Sequence, residues 1–251
     1  PFAFTTACDI FTPDYVADMS VNVPNCWEEA NSGDATTGPM DLGAGLWYGS
    51  NHNGTPSNAI NLWTDTRSDW IISPEFDLSS AAPSELNIYV ALTENSTNGS
   101  GADLGSDDSV DLLMTTDGGT TWTSMQTWTQ GNVPTDIGEQ ITYDLSAISG
   151  TVQFAFLGDE GDVDDTEDVY FHVSQFRVRE TPSCLEPNTL TATTTSISDV
   201  DVTWVAGGSE TDWTYEYGIS PYVQGGGGTT GTVSGTPSLN LSGLTPGETY
   251  D

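Results

Sequence analysis

The sequence predicts an all-β chain: an antiparallel jelly-roll β-sandwich over residues 1–180, then a smaller, incomplete β-sandwich over residues 184–251. Three observations carry this. Apolar residues recur with a period of two and almost never with the period of a helix. Ser, Thr, Gly and Asn are abundant and good helix formers are scarce, a balance that favours strands and turns. Aromatic residues are plentiful, with 8 Trp, 9 Tyr and 8 Phe in 251 residues. That is enough apolar bulk for a packed core, and it excludes a disordered acidic tail.

The strands can be justified in order. Leu86, Ile88 and Val90 alternate with polar neighbours, as do Val110, Leu112 and Met114. Val152, Phe154 and Phe156 repeat the pattern, followed by Val169, Phe171 and Val173. Such alternation predicts strands with one face buried and one face wet, as in a sandwich. Between Met114 and Trp122, Asp117-Gly118 predicts a hairpin through a type I′ turn, which needs positive φ at both central positions. The interval from Thr93 to Asp108 is rich in Asn, Gly and Ser and reads as a surface loop. A boundary falls near Thr181-Pro-Ser-Cys184. Before it lie 29 of the 37 acidic residues and all three Arg; after it come Thr-rich strands and the Gly225–Gly228 run. The two parts share no internal repeat.

Charge narrows the function. The formal net charge is -34, with three arginines and no lysine, so the chain has no basic surface for phosphates. Nucleic-acid binding and docking to anionic membranes are excluded. No apolar run approaches the length of a membrane-spanning helix, so no membrane insertion is expected. Residue 1 is Pro and no signal peptide precedes it, so the chain is expected to be a mature or excised piece of a larger protein. Cys8 and Cys26 are near enough in sequence to pair, or each is a buried free thiol; Cys184 stands alone. No pair has the spacing of a zinc site.

The densest charge is Asp159-Glu-Gly-Asp-Val-Asp-Asp-Thr-Glu-Asp168. Carboxylates about 6 Å apart repel by roughly 1–3 kcal/mol per pair. Such a loop is either fully solvated and screened by salt, or it holds cations, and oxygen-only hard ligands are what calcium prefers. The candidate calcium ligands are Asp159, Asp162, Asp164, Asp165 and Asp168. The spacing is not an EF-hand: counted from Asp162, the sixth position is Glu167 and the twelfth Val173. Asp107, Asp108 and Asp111 form a second candidate group. Trp47, Tyr48, Trp63 and Trp128 are candidates for a sugar-stacking platform, against the alternative that they pack the core or its edge. Catalysis has little to stand on. His52 and His172 are isolated, and Gly-x-Ser-x-Gly, His-Glu-x-x-His and phosphate loops are absent.

Several of these segments, taken together, resemble a known family. Asp69-Trp-Ile-Ile-Ser-Pro-Glu-Phe-Asp-Leu-Ser79 resembles the "DWLISP" element of secreted bacterial jelly-roll modules of the cleaved-adhesin and choice-of-anchor type, related in shape to MAM domains. The resemblance continues through Gly105–Val110, Thr115–Trp122, Asp144-Leu-Ser146, Phe154-Ala-Phe156 and the closing strand Tyr170–Val178. The closing strand of the family usually reads Ile-Asp-Asn, its Asp lying near a structural ion. Here Val173-Ser174-Gln175 replaces it, so that carboxylate is missing, whereas Asp107-Asp108 matches the family's acidic pair before a strand. Residues 184–251 resemble a fibronectin type III domain through Val200-Asp-Val202 with Trp204, Trp213–Tyr217 and Leu244–Tyr250. In that architecture the Tyr begins a core strand, so the last two strands are expected to be missing. In such domains a Cys at the opening often pairs with one near the end, which implies a partner for Cys184 beyond Asp251.

The resemblance implies a non-enzymatic structural or adhesive module of a large extracellular, cell-surface or secreted bacterial protein. Its loops would be stabilised by Ca2+, and export would follow a type IX route. The partners expected are other domains of the same long chain and, in addition, surface glycans or other cell surfaces. The alternative is a carbohydrate-binding accessory domain of a secreted hydrolase. A homo-oligomeric fibre is a third reading, opposed by the charge unless salt or cations screen it.

Overall fold

In the computed structural model, residues 8–63, 67–80, 82–95, 101–182, 187–223 and 225–251 are described. Cys184 lies outside them. The chain divides into two compact units, Pro1–Thr181 and Pro182–Asp251. Secondary structure among the described residues is entirely β, and no helix there is long and apolar enough to cross a membrane.

The first unit begins with β1 (Tyr15–Val16), β2 (Glu28–Ser32), β3 (Met40–Leu42) and β4 (Tyr48–His52). It continues through β5 (Thr55–Leu62), β6 (Ser68–Ile72), β7 (Phe76–Asp77) and β8 (Ser84–Glu94). It ends with β9 (Ser109–Thr115), β10 (Thr123–Thr129), β11 (Glu139–Asp144), β12 (Thr151–Asp159) and β13 (Val169–Glu180). One sheet runs β11-β8-β13-β5-β4, with β1 on β13; the other runs β10-β9-β12-β6-β2-β3, with β7 on β12. The chain passes repeatedly between the two sheets, among other places between β5 and β6, β8 and β9, and β12 and β13, as in a jelly-roll sandwich.

A single apolar core takes side chains from both sheets. Leu86, Ile88, Val90, Val110, Leu112, Val152, Phe154, Phe156, Val169, Phe171 and Val173 all enter it, as their alternation predicts. Phe176 sits at its middle, with ring centroids 4.8 Å from Trp27, 5.9 Å from Phe154 and 6.3 Å from Phe76. Cys8 and Cys26 are disulfide-bonded, which ties the start of the described chain to the segment leading into β2.

The structure departs from the expected pattern twice. The central strands of the β10–β3 sheet are buried on both faces, not one. Ala30, Trp70, Ile72, Leu113, Trp122, Ala155 and Leu157 form a second apolar cluster on its outer side. Trp70 and Trp122 meet edge to face at 5.5 Å, and the Trp70 indole N–H donates to the Gly33 carbonyl at 3.3 Å. This is why Trp70-Ile-Ile72 and Phe154–Leu157 read as continuous apolar runs. The β9–β10 hairpin exists, but its positive-φ pair is Gly118 and Gly119, and Asp117 is not part of it. Asp117 organises a wider turn instead. Its carboxylate accepts from Thr115 Oγ1 at 2.9 Å, the Thr121 N–H at 2.9 Å and Thr121 Oγ1 at 2.7 Å. Those donors hold its pKa down to about 2.

The second unit has a three-stranded sheet of β14 (Asn188–Thr194), β15 (Val200–Val205) and β18 (Ser238–Leu241). A second sheet pairs β16 (Asp212–Tyr217) with β17 (Thr229–Ser234).

Truncating a fully buried ring that touches three others removes both its transfer energy and its neighbours' support. Phe176→Ala is therefore expected to destabilise the first unit by about 3–5 kcal/mol. Urea unfolding followed by intrinsic fluorescence would check this, and a loss below about 1 kcal/mol would contradict the central position of the ring.

Candidate functional site

The first site grows out of strand register. β12 lies antiparallel to β9 with Leu157 opposite Asp111 and Asp159 opposite Ser109. Even-numbered residues of both strands face the core: Val110 and Leu112 on one, Phe154 and Phe156 on the other. One step beyond the last pair, the same register sets Glu160 against Asp108, both pointing inward where apolar residues run out. Both are buried, Asp108 at 2% exposure and Glu160 at 0%.

Glu160 is well supplied with donors. It accepts from the backbone N–H groups of Trp63 and Arg67, and the Arg67 guanidinium lies 3.9 Å away. Asp108 is not. Its Oδ2 accepts from the Gly105 N–H at 3.2 Å, while its Oδ1 is buried without any hydrogen-bond partner. Burial raises its pKa, and the nearby charges of Glu167 and Glu160 raise it further. The oxygens of three carboxylates crowd Gly105. A Cβ at that position would stand 2.5 Å from Glu167 Oε1 and 2.9 Å from both Asp108 Oδ2 and Asp165 Oδ2. Among the described residues no three or more Asp, Glu, His or Cys side chains are placed so that they could together hold a metal ion, so the cluster is a convergence of carboxylates and not a ready-made site.

The other predicted ligands divide into groups. Asp107 Oδ2 accepts from the N–H groups of Asp162 at 2.8 Å and Val163 at 3.2 Å, tying the two acidic loops together. Asp165 accepts from the Ser106 N–H, which lowers its pKa. Asp168 accepts from the amides of Asn61, at 2.7 Å, and Asn95. Asp159 accepts from the Gly161 N–H at 2.8 Å and from Ser68 Oγ at 3.3 Å. Asp162 and Asp164 are exposed. Asp111 belongs elsewhere: it faces β10 and accepts from Thr127 and Ser124 hydroxyls. Glu160 and Glu167 escape a reading based on aspartate density. The signal that finds Glu160 is the alternation Val152, Phe154, Phe156, Gly158, Glu160.

The four predicted platform aromatics do not assemble. Trp47 and Trp128 are core residues, each 2% exposed. Trp47 donates its indole N–H to the Asp69 carbonyl at 3.1 Å, and Trp128 packs on Phe171 at 4.9 Å. Neither offers a face to a sugar, because the register that pairs Trp128 with Val110 turns it inward. Trp63 is 49% exposed and carries the Arg67 guanidinium over its ring at 5.6 Å.

Tyr48 lies on the outer face of the other sheet, with its ring 6.2 Å from that of Tyr170. That face is polar yet partly buried. Tyr170 and His172 stand 6.0 Å apart, and His172 and His52 5.3 Å apart. His172 Nδ1 is bonded to Ser57 Oγ and its Nε2 to Thr93 Oγ1, both at 3.1 Å. A hollow of about 200 Å3 next to them is lined by His52, Tyr89, Ile137 and Gln175, among others.

No protein-family model matches the chain, and no curated protein matches it. Among solved structures it is similar to the K1 cleaved adhesin domain of Lys-gingipain from Porphyromonas gingivalis W83. The identity is 14% and the TM-score 0.42, over 67% of this chain and 98% of that one. A xylan-binding module, CBM15, is similar at 8% identity and TM-score 0.38, over 67% and 99%. The glycoside hydrolase domain of Endo-D from Streptococcus pneumoniae R6 is similar at 12% identity and TM-score 0.35, over 86% of this chain and 31% of that one. Likenesses this distant carry no inference about ligand or activity.

Burial, and next the charge of His52, hold the His172 pKa down to about 4. The unfolded chain protonates it near 6.5. Its contribution to stability is therefore complete above pH 6.5 and is lost as the pH falls towards 4, reaching about 3 kcal/mol. NMR titration of the imidazole ring protons is expected to show a midpoint near 4; a midpoint near 6.5 would refute the buried, neutral assignment.

Proposed function

We propose that the chain is a non-enzymatic adhesive module of an extracellular protein, and that a calcium ion stiffens the loop end of its first unit. The observation that carries the calcium reading is Asp108: its Oδ1 is buried without a hydrogen-bond partner, and its Oδ2 converges with Glu167 Oε1 and Asp165 Oδ2 around Gly105. A buried carboxylate oxygen without a donor costs free energy, and a divalent cation bound by oxygen ligands removes that cost. Asp108, Glu167 and Asp165 would supply hard oxygen donors, once a small movement of the loops drew them around an ion, and the lack of a side chain at Gly105 lets their oxygens approach one another. When bound, the ion would offset the burial, and next the repulsion from Glu167 and Glu160, that now raise the Asp108 pKa. The Cys8–Cys26 disulfide supports an oxidising, extracellular setting. All three arginines are engaged in ion pairs: Arg67 with Glu160, Arg177 with Asp14 and Arg179 with Glu85. An adhesive surface on this unit therefore works through hydroxyl, amide, carboxylate and aromatic groups and not through positive charge.

Calcium at one hundred times its dissociation constant adds about 2.7 kcal/mol, or roughly 5–10 °C in melting temperature for a unit of this size. Calorimetry with calcium and with chelator is expected to show that difference. Asp108→Asn is expected to do the opposite in chelator: it relieves repulsion and raises the melt, while abolishing the calcium increment. An identical wild-type melt in both conditions would sink the calcium reading.

A second reading, a glycan-binding surface, is favoured by the Tyr48–Tyr170 ring pair beside the hollow at His52 and Tyr89. Aromatic faces among hydroxyl and amide groups are suited to sugar rings. On a glycan array, binding lost in Tyr48→Ala but kept in Trp63→Ala would support this surface. Binding unaffected by Tyr48→Ala would move the site elsewhere.

A further inference from the structure

The hollow on the outer face of the β11–β4 sheet lies where β13 is irregular. Val173 pairs with Val90 and Gln175 with Tyr89, so Ser174 is an extra residue, a β-bulge. Before it, Val169, Phe171 and Val173 enter the core; after it, Phe176 and Val178 do. The parity of the strand thus switches at the bulge, and two consecutive side chains, Ser174 and Gln175, come to the outer face. Re-aiming of this kind is what bulges do beside binding sites. Both side chains line the hollow, with His52, Asn53, Tyr89 and Ile137 among others.

The walls are held in place. Gln175 donates its amide N–H to Asn87 Oδ1, which also accepts from Gln140 Nε2 at 2.8 Å. Asn87 in turn donates to Thr142 Oγ1 at 2.7 Å. With its nitrogen so engaged, Gln175 offers Oε1 as an acceptor. The segment before β11 is pinned over the same face by its carbonyls. The His52 Nε2–H donates to Asp136 at 2.7 Å, and the Tyr89 hydroxyl donates to Ile137 at 2.8 Å. Gly138, with φ 86°, lets this segment lie on the Tyr89 ring, which a Cβ there would strike. Ile137 is left 70% exposed at the edge of the hollow.

Size and charge narrow what such a space can take. At about 200 Å3 it is smaller than the roughly 300–1,000 Å3 of sites that enclose a whole drug-sized ligand. It is comparable with the roughly 150 Å3 that admits a benzene ring. It has room for a substituent and not for a chain of sugar rings. No carboxylate lines it, although the chain has 37 acidic residues, so it does not select a cation. No guanidinium lines it either, so it does not select an anion. What it matches is a neutral group with an apolar part for Ile137 and the Tyr89 ring, a donor for Gln175 Oε1 and an acceptor for the Ser174 hydroxyl. An acetamido group has all three, in its methyl, its N–H and its carbonyl; a sugar hydroxyl lacks the first. We propose that, on the reading of this face as glycan-binding, the hollow is a subsite for the acetamido group of an N-acetylated sugar. The Tyr48–Tyr170 pair lies two ring contacts away, through His172 and His52, and takes a further sugar of the same oligosaccharide.

The probes are a β-linked trisaccharide of N-acetylglucosamine and the matching trisaccharide of glucose, each titrated calorimetrically into the full chain. One neutral hydrogen bond and one buried methyl together are expected to give the N-acetylated probe about tenfold the affinity of the other. In the double variant Ile137→Ala, Ser174→Ala the two probes are expected to bind alike. Ile137 is exposed and Ser174 partly so, and an unchanged melt would confirm that this variant folds. Equal wild-type affinity for the two probes, lost in Tyr48→Ala, overturns the subsite and leaves the glycan surface standing. A preference that survives in the double variant puts the acetamido contact elsewhere and overturns the subsite equally. Binding of neither probe also overturns it, and the glycan surface is then judged by the array alone.

Discussion

The antiparallel register of β9 and β12 is the constraint on which the rest of the first unit depends. With Asp159 opposite Ser109, every even-numbered side chain of both strands is committed to the interior. Over most of their length this is favourable, because those positions are Val, Leu and Phe. At Gly158 the space is filled from across the core: a Cβ there would lie 2.8 Å from Ile60 Cδ1. One residue pair later the same geometry delivers two carboxylates to a place that water barely reaches. Core and acidic loop end are thus one arrangement, and a slip of one residue would turn both inside out.

Charge is distributed with the same economy. With so few cations, each goes where an anion is hardest to hydrate. Arg67 serves the fully buried Glu160, and Arg179 serves the mostly buried Glu85 at 2.6 Å. Arg177 faces the exposed Asp14, a pair of small energetic weight. Backbone N–H groups do the remaining work, capping Asp107, Asp165 and Asp159 from within the loops. Asp108 Oδ1 and Glu29 Oε1 are left buried without a donor, and of the two Asp108 stands among the crowded carboxylates of the loop end.

Much of the fold was legible in the sequence because strand alternation reports burial directly. The four alternating strands singled out there all enter the core, and the Asp-Trp and Gly-Gly-Thr-Thr-Trp segments meet through Trp70 and Trp122. The candidate site was less legible. Carboxylate density marks the region, but which side chains are buried is set by parity, which puts Asp108 and Glu160 inside and leaves Asp162 and Asp164 in solvent. Residue type misled at Trp47 and Trp128, whose direction depends on long-range pairing with Asp69 and Val110. At Asp117 the side chain overrode the backbone rule: a carboxylate with three donors shapes a wider turn than Asp-Gly alone suggests.

Both sheets have buried outer faces, but they are covered differently: an apolar cluster on the β10–β3 sheet and mostly polar side chains on the other. On the apolar side, replacing Trp70 or Trp122 unpacks a cluster that closes the sheet against the Gly33 loop. On the opposite side, partly exposed residues such as Tyr48, Tyr170 and Gln175 stand above the core and not within it. Substitutions at those positions alter what the surface offers, whereas Ala59, Asn87, Ala91, Thr93 and His172 on the same face are buried and help to hold it up. Such a module can be retuned for new contacts only through the few partly exposed positions scattered over that face.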